Sequence, residues 1–450
     1  MLVIYTMNNI LKKIAEEVNN IPDVIIKGKV SGIKGLIISV RGLRKFASIG
    51  SRCEIFSNGG KITSAEVVAI NAHEILLMPF DDVTGISAND DVVLKAAEQS
   101  VYPSLEWLGR VVNAFGEPID DKGALKKGTT PYFLKRSPPP SQSRTRVGEK
   151  MNVGIRAINT FLSLCRGQRM GVFAGSGVGK SMMIAMLAKY AETDVKVIGL
   201  IGERGREVQE FIEDYLGEEG LARSIVVVAT SDESALLRRQ AANLTLSLCE
   251  YFSDQGKEVL CMMDSVTRYA MALREIGLSV GEPPTAKGYT PGVFAELPRL
   301  LERAGPMLKG KGAITALFSV LVEGDDHNEP VADAVRGIID GHIVLDRNIA
   351  ARRYPAIDIL KSVSRMIPKC NNEYENKLIS KSRGLISTFE EMADMIRIGA
   401  YKKGADPLVD EAIKYREGLE NFLNQAYNEH DDLESSYLKL AGAIDFKPNA

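Results

Sequence analysis

The octapeptide 174–181, with the sequence Ala-Gly-Ser-Gly-Val-Gly-Lys-Ser, constrains the fold of this chain more than any other segment. An apolar run, 170–173, precedes it and predicts a buried strand, and a helix-forming run begins at Met182. A strand, a glycine-rich turn, a Lys-Ser pair and a helix together predict a phosphate-binding P-loop. Ala174 stands where the strict pattern has glycine, so the motif is present in a relaxed form. An ordinary glycine-rich turn is the alternative, and the flanking strand and helix disfavour it.

The P-loop also predicts how a nucleotide would be held. Backbone N–H groups of the loop can surround phosphate oxygens because glycines carry no side chains that would collide. The helix N-terminus adds unpaired N–H groups and the positive end of its dipole. We expect Lys180 to reach the β- and γ-phosphates and the Ser181 hydroxyl to bind Mg²⁺. The predicted nucleotide-binding residues of the loop are Ala174, Gly175, Ser176, Gly177, Val178, Gly179, Lys180 and Ser181.

Composition restricts the class of protein. A chain of 450 residues predicts two or three domains, and 56 basic against 58 acidic residues argue against a general polyanion binder. The five cysteines lack C-x-x-C spacing and the four histidines are scattered, so we expect reduced thiols and no zinc site. No apolar run approaches the ~18 residues of a membrane span. These features predict a soluble cytoplasmic protein.

The residue pattern divides the chain into four segments. Residues 1–20 predict an amphipathic helix, which either packs on its own domain or docks a partner. Residues 21–95 contain short β-rich runs broken by turns and predict a small barrel or sandwich. Residues 96–370 predict an α/β domain with a mainly parallel sheet, which begins with a long connection that includes a proline-containing linker at 131–150. Residues 371–450 predict a helical domain. The strands predicted after the P-loop strand are 197–201, 225–229, 259–263, 313–321 and 342–345.

The charges and aromatic residues of the barrel segment indicate whether it could bind nucleic acid. Between Ile21 and Lys95 there are nine Lys or Arg and eight Asp or Glu, and the only aromatics are three phenylalanines. A single-strand binder combines a basic groove with stacking rings. The segment therefore predicts an assembly collar and no specific nucleic-acid partner.

Two acidic residues follow predicted strands of the α/β domain. Asp264 ends the apolar run 259–263, which is the Walker B pattern, and would hold Mg²⁺ through water. Glu203 lies beyond the strand 197–201, at the edge where α/β sheets bind ligands, and could orient the attacking water. For each residue, capping of the following helix is the alternative.

Two further candidates lie far from the P-loop in the sequence. Arg365 could neutralise charge on the γ-phosphate, from its own chain or from a neighbouring subunit, and a surface arginine is the alternative. Tyr354 could stack on an adenine face, although an isolated tyrosine more often serves packing.

Longer motifs resemble a known family. The segment 355–364, Pro-Ala-Ile-Asp-Ile-Leu-Lys-Ser-Val-Ser, is similar to the signature of rotary ATPase catalytic subunits and type III protein-export ATPases, and Gly202-Glu203-Arg204 resembles their catalytic glutamate motif. The resemblance covers residues from about 20 to 440. It implies a β-barrel, a RecA-like core and a C-terminal helical domain. It also implies Glu203 as the catalytic carboxylate, Arg204 and Arg268 near the phosphates, Arg365 as a finger acting across a subunit boundary, and Tyr354 beside adenine.

Three segments are similar to the export branch of this family: 205–210, 282–289 and 322–330. Within that branch, residues 325–330 and 334–338 most resemble the flagellar members. The injectisome enzymes are close paralogues of these. The resemblance implies a Mg²⁺-dependent ATPase that forms a ring, a hexamer, and energises release and unfolding of cargo. It implies export-apparatus partners, with a negative regulator at the N-terminus and chaperone–substrate complexes at the C-terminal domain. It also implies a cytoplasmic protein that associates only peripherally with the inner membrane. A rotary ATP synthase subunit, a nucleic-acid translocase and a non-enzymatic scaffold are the rival functions.

Overall fold

The computed structural model describes residues 25–96, 98–322, 326 and 329–447. The amphipathic helix predicted within residues 1–20 and most of the segment 323–328 lie outside these residues. The described residues form two compact units that divide between Gln99 and Ser100. No helix among the described residues is both long and apolar enough to cross a membrane.

The first unit is a closed antiparallel barrel with the strand order β1-β2-β5-β4-β3-β6. Its strands are β1 (Lys27–Lys34), β2 (Ile37–Arg41), β3 (Arg52–Phe56), β4 (Ile62–Ile70), β5 (Ile75–Pro79) and β6 (Asp91–Ala96). In β1 and β3 buried and exposed side chains alternate, because successive residues of a strand point to opposite faces. The apolar inward side chains, such as Val30 and Ile55, fill the barrel.

The second unit is built on an eight-stranded sheet with the order β16-β15-β10-β14-β13-β11-β12-β8. Its strands are β8 (Arg110–Val112), β10 (Arg169–Ala174), β11 (Val195–Glu203), β12 (Ser224–Thr230), β13 (Val259–Asp264), β14 (Ile314–Leu321), β15 (Gly341–Leu345) and β16 (Ile357–Ser364), and the short strands β7 (Ser100–Val101) and β9 (Tyr132–Phe133) pair separately. All neighbouring strands of the large sheet are parallel except β15 and β16. The central strands β11 and β13 are mainly apolar and buried along almost their whole length, as expected for a parallel sheet covered on both faces.

The five strands predicted after the P-loop strand are present, and the mainly parallel sheet is confirmed. Two segments outside the prediction also belong to the sheet. The sequence predicts a connection at residues 110–112, whereas these residues form the edge strand β8, which hydrogen-bonds to β12. The signature segment contributes β16, the antiparallel strand at the other edge. A three-residue strand is too short to show periodicity, and the alternation of strands and helices does not predict an antiparallel edge strand.

Helices cover the sheet and form the C-terminal region. They are α1 (Arg156–Phe161), α2 (Lys180–Tyr190), α3 (Gly205–Glu210), α4 (Gly217–Ala222), α5 (Ala235–Asp254), α6 (Val266–Ser279), α7 (Pro291–Leu301), α8 (Pro330–Ile338), α9 (Arg347–Ala350), α10 (Glu373–Arg397), α11 (Pro407–Leu423) and α12 (Leu433–Ala443). The last three form the predicted helical region, and each begins at a side-chain cap: Asn372, Asp406 or Asp432. Buried residues of α10–α12 share one core with the P-loop strand and helix.

Candidate active site

The P-loop connects β10 to α2. β10 ends at Ala174 and α2 begins at Lys180. Gly177 and Gly179 have φ values of +78° and +86°, in the left-handed region where a side chain would be strained. A Cβ atom on Gly179 would also lie 2.8 Å from the ring of Tyr354. The local sequence thus provides glycine at positions where the loop turns and approaches another residue.

Lys180, Glu203 and Asp264 come together at the carboxyl edge of the sheet. Glu203 is the last residue of β11 and Asp264 the last of β13, and these strands are neighbours. The Lys180 ammonium group donates to Asp264 Oδ1 and lies 3.6 Å from Glu203 Oε1. Asp264 is 3% exposed. One cation and two carboxylates therefore share a small, largely dehydrated volume beside the P-loop.

Burial and charge change the proton affinities of this cluster. Burial, together with the negative charge of Asp264, raises the pKa of Glu203 to about 7, although Lys180 opposes the shift. For Lys180, burial lowers the pKa, but the charges of Asp264 and Glu203 outweigh it, so the pKa lies above its ordinary value. Lys180 therefore stays protonated, while Glu203 titrates near neutral pH.

Neither carboxylate caps the helix that follows it. α3 begins after Arg204 without a side-chain cap, and α6 is capped by Ser265, whose hydroxyl accepts from the backbone of Arg268. The capping alternative is therefore wrong for both Glu203 and Asp264, because their side chains face Lys180 instead.

Ser319 is a member of this cluster that the sequence interpretation missed. Its hydroxyl donates to Asp264 Oδ1 at 2.6 Å from the neighbouring strand β14. It is also almost completely buried. A single hydroxyl within the otherwise apolar run 316–321 is the sequence signal that could have indicated it.

Of the two arginines that the resemblance places near the phosphates, one lies beside the cluster and the other is exposed to solvent. The side chain of Arg268 packs on Gly202, whose φ is +72°, and its charge lowers the pKa of Glu203, although burial raises that pKa more. Its Nε atom is buried without a hydrogen-bond partner in the described part of the chain. Arg204 is exposed and pairs with Glu207 at 3.2 Å.

Tyr354 lies against the P-loop. Its hydroxyl donates to the carbonyl oxygen of Gly179 at 3.4 Å, and burial raises its pKa. Arg347, which the sequence interpretation also missed, donates to the carbonyl oxygen of Ser176 at 3.3 Å. Neither contact could be found from sequence spacing, because each residue lies more than 170 positions from the loop residue that it contacts.

Arg365 lies at the edge of the sheet that is opposite to the carboxyl edge, where the parallel strands begin. It follows β16, and its backbone N–H donates to Asp340, which in turn donates to Arg169 at the start of β10. The P-loop begins at the other end of β10, and five residues at ~3.3 Å each separate these ends by roughly 16 Å. The Arg365 side chain is exposed, and no described residue forms an ion pair with it.

The oxygen donors at this site suit Mg²⁺. Ser181 supplies a partly buried hydroxyl in the first turn of α2, and Asp264 supplies a carboxylate. Mg²⁺ prefers oxygen ligands and usually uses one or two protein side chains together with substrate phosphates. The residues that the site contributes therefore fit this ion.

Family comparisons cover nearly the whole described chain. Residues 154–364 match the nucleotide-binding domain of the ATP synthase alpha/beta family, and residues 372–442 match the C-terminal domain of the type III secretion ATPase EscN. The flagellum-specific ATP synthase of Caulobacter vibrioides is 53% identical over 95% of this chain and 98% of the relative. That of Salmonella typhimurium is 44% identical over 93% and 94%.

The fold matches a solved export ATPase. The assembled ATPase EscN from the enteropathogenic E. coli type III secretion system is 40% identical, with a TM-score of 0.87 over 93% of this chain and 100% of that chain. A second solved structure, EscN in complex with its central stalk EscO, has a TM-score of 0.85 and 39% identity over the same shares. The barrel, the parallel-sheet core and the C-terminal helices of this protein are therefore those of an export ATPase.

The sequence identity to these relatives over almost the full length, together with a P-loop beside a lysine–dicarboxylate cluster, shows that the protein is an ATP hydrolase. It belongs to the flagellum-specific ATP synthases, the flagellar branch of the type III protein-export ATPases within the ATP synthase alpha/beta family.

Proposed function

We propose that this protein hydrolyses ATP with Mg²⁺ to energise type III export of flagellar proteins, as a ring whose active sites are shared between adjacent copies. One observation carries the shared site: Lys180, Glu203 and Asp264 lie together at one edge of the sheet, whereas Arg365 lies exposed at the other. An arginine at the end of the sheet far from the P-loop, with the roughly 16 Å length of β10 between the two ends, is suited to act on a neighbour's nucleotide.

In this proposal the P-loop binds the triphosphate through residues 174–181. Lys180, which contacts Asp264 and Glu203 here, turns toward the β- and γ-phosphates. Ser181, and Asp264 through water, would hold Mg²⁺, and the bound ion would neutralise charge that develops on the phosphates. Tyr354 lies beside the base, and Arg268 stabilises phosphate charge with Arg204 nearby.

Glu203 is the proposed catalytic carboxylate. A pKa of about 7 means that its carboxylate form is well populated at neutral pH and can still accept a proton from the attacking water. Arg365 of the adjacent copy stabilises the transition state, which in related phosphoryl transfers is worth ~10³-fold or more in rate. Assembly and catalysis are thereby linked.

Relatives support the ring and its partners. EscN has been solved as an assembled ATPase and in complex with its central stalk EscO. By analogy we propose a homo-hexamer that engages export-apparatus proteins, including a negative regulator at the N-terminus and chaperone–substrate complexes at residues 371–450. The proposed location is the cytoplasm, with peripheral association at the inner membrane.

An injectisome ATPase is the second candidate function. The 40% identity to EscN favours it, whereas the relatives named flagellum-specific reach 53%. Isolation of the tagged full-length protein from its own cells distinguishes the two. Flagellar export components in the purified complex support the proposal, and injectisome components contradict it.

The shared site is tested by mixing two inactive variants. Lys180→Ala removes the phosphate ligand and Arg365→Ala removes the finger, so each protein alone should lose about a hundred-fold or more in kcat. In a mixed ring some interfaces combine an intact P-loop from one variant with an intact arginine from the other. We therefore expect ATP hydrolysis to recover in the mixture to a measurable fraction of the wild-type rate.

Two controls make the mixing experiment decisive. Lys180→Ala mixed with the double variant Lys180→Ala/Arg365→Ala has no intact P-loop, and its rate should not recover. Sedimentation should show that the mixed subunits assemble. Co-assembly without recovered hydrolysis would mean that Arg365 does not act across the boundary.

A further inference from the structure

The connector between α11 and α12, residues 424–432, holds the backbone of Tyr354 on both sides. The backbone N–H of Gln425 donates to the Tyr354 carbonyl oxygen at 2.7 Å. The Tyr354 N–H donates to Asn424 Oδ1 at 3.2 Å. Both backbone polar groups of this tyrosine are therefore bound by two consecutive residues of the C-terminal region.

The other end of Tyr354 reaches the phosphate loop. Its ring lies so close to Gly179 that a Cβ atom there would be 2.8 Å from it, and its hydroxyl donates to the Gly179 carbonyl oxygen. Gly179 directly precedes Lys180. A shift of the Tyr354 backbone would therefore change the packing next to the lysine that we propose for phosphate binding.

The connector is itself fixed in place by Gln425, which is 1% exposed. Its Nε2 atom donates to Gly154 at 2.8 Å and to Glu429 at 3.0 Å, and its Oε1 atom accepts from the backbone of Arg156 at 2.9 Å. Both donors and the acceptor of the amide are used. The hydrogen bonds of Gln425 thus fix the position of the connector from which Asn424 contacts Tyr354.

Asn424 differs from Gln425 in that it is exposed, and its side chain has Tyr354 as its one hydrogen-bonding partner among the described residues. Its backbone carbonyl accepts from Arg156, a bond that any residue at this position can make. Its φ is −87°, which other residues adopt without strain. Replacing its side chain therefore removes the contact to Tyr354 and leaves the connector in place.

We infer that Asn424 is a positioning residue for nucleotide binding, which holds the Tyr354 ring against the P-loop through the Tyr354 N–H. This inference rests on the proposed binding of ATP at residues 174–181. It also links the C-terminal helices to the nucleotide, because α11 ends directly before the residue that holds Tyr354.

Steady-state hydrolysis by the full-length protein tests the inference. Loss of one hydrogen bond should raise the KM for ATP about five-fold in Asn424→Ala, with kcat unchanged. Asn424→Asp keeps an oxygen that can accept the Tyr354 N–H, so it should restore the wild-type KM. Asn421→Ala, on the exposed face of α11 one turn earlier, is the matched control and should have no effect.

A double-mutant cycle shows whether Asn424 acts through Tyr354. Tyr354→Ala should raise the KM by itself, and adding Asn424→Ala should raise it no further, because residues that act through one contact are not additive. A full further increase in the double variant overturns the inference. An unchanged KM in Asn424→Ala, or no rescue by Asn424→Asp, overturns it as well.

Thermal unfolding separates these outcomes from loss of the fold. If Asn424→Ala unfolds, Asn424→Ser replaces it, and its KM must rise in the same way. Failure of the proposed nucleotide site would show itself differently, as hydrolysis that persists in Lys180→Ala while Asn424 is intact.

Discussion

The two edges of the large sheet differ in nearly every physical property. At the carboxyl edge Asp264 is buried, Lys180 and Glu203 are partly buried, and Lys180 pairs with both acids. The pKa of Glu203 is raised there to about 7. At the opposite edge Arg365 is exposed and has no ion-pair partner among the described residues. One edge has acidic groups and a lysine around a phosphate-binding loop, and the other has an exposed cation. This difference is the reason for the proposal that each copy contributes to two different active sites.

The largest expected effect comes from the exposed edge. Arg365→Ala should lower kcat about 10³-fold while nucleotide still binds, because the arginine would contact the phosphate only in the assembled transition state. Stopped-flow hydrolysis and equilibrium binding of a fluorescent ATP analogue measure the two quantities. Lys369→Ala, an exposed cation four residues later, is the control.

A kcat for Arg365→Ala close to that of the control would contradict the comparison. The arginine would then be a surface residue, and the buried edge would contain the whole site.

The second prediction concerns the electrostatic cost of the buried edge. The Glu203 pKa is about 7 in the folded protein against 4.5 ordinarily, so the folded state binds more protons between these pH values and its stability falls as pH rises through them. Glu203→Gln cannot lose this proton. Its free energy of unfolding should therefore match the wild type near pH 4.5 and exceed it above pH 7, by at most about 3 kcal/mol.

Chemical denaturation across pH 4.5–8 measures this difference. Glu218→Gln removes an exposed carboxylate of α4, outside the cluster, and should show no such trend. A difference that is constant with pH would mean that the cluster does not raise the Glu203 pKa.

The smallest expected effect tests the support of the buried edge. Ser319→Ala removes a 2.6 Å hydrogen bond to Asp264 and should lower kcat about ten-fold, since hydrogen bonds to charged groups are worth ~1.5–3 kcal/mol. Its apparent Mg²⁺ requirement should rise as well, because Asp264 would be less firmly oriented. Ser380→Ala, on an exposed face of α10, is the control. An unchanged kcat and Mg²⁺ requirement would show that Asp264 needs no support from β14.

The structure also shows why some features could be predicted and others not. The P-loop and Asp264 could be predicted because each directly follows an apolar run. The pattern that indicates them therefore lies in consecutive positions of the sequence. Ser319 and Arg347 depend on which strands become neighbours and on where a loop folds back. The domain bounds and the roles of the site residues stay predictions.

What the sequence determined by itself is the chemistry that is available: a glycine-rich loop, a lysine, two strand-terminal acids and an arginine in a family signature. Only the tertiary structure decided which of these groups share one volume. The parallel order of β10, β13 and β11 brings Lys180, Asp264 and Glu203 to one edge, and the reversal of β16 carries Arg365 to the other. The physical reason is that strand direction, which is set by pairing over long sequence distances, fixes the edge at which each strand-terminal side chain lies.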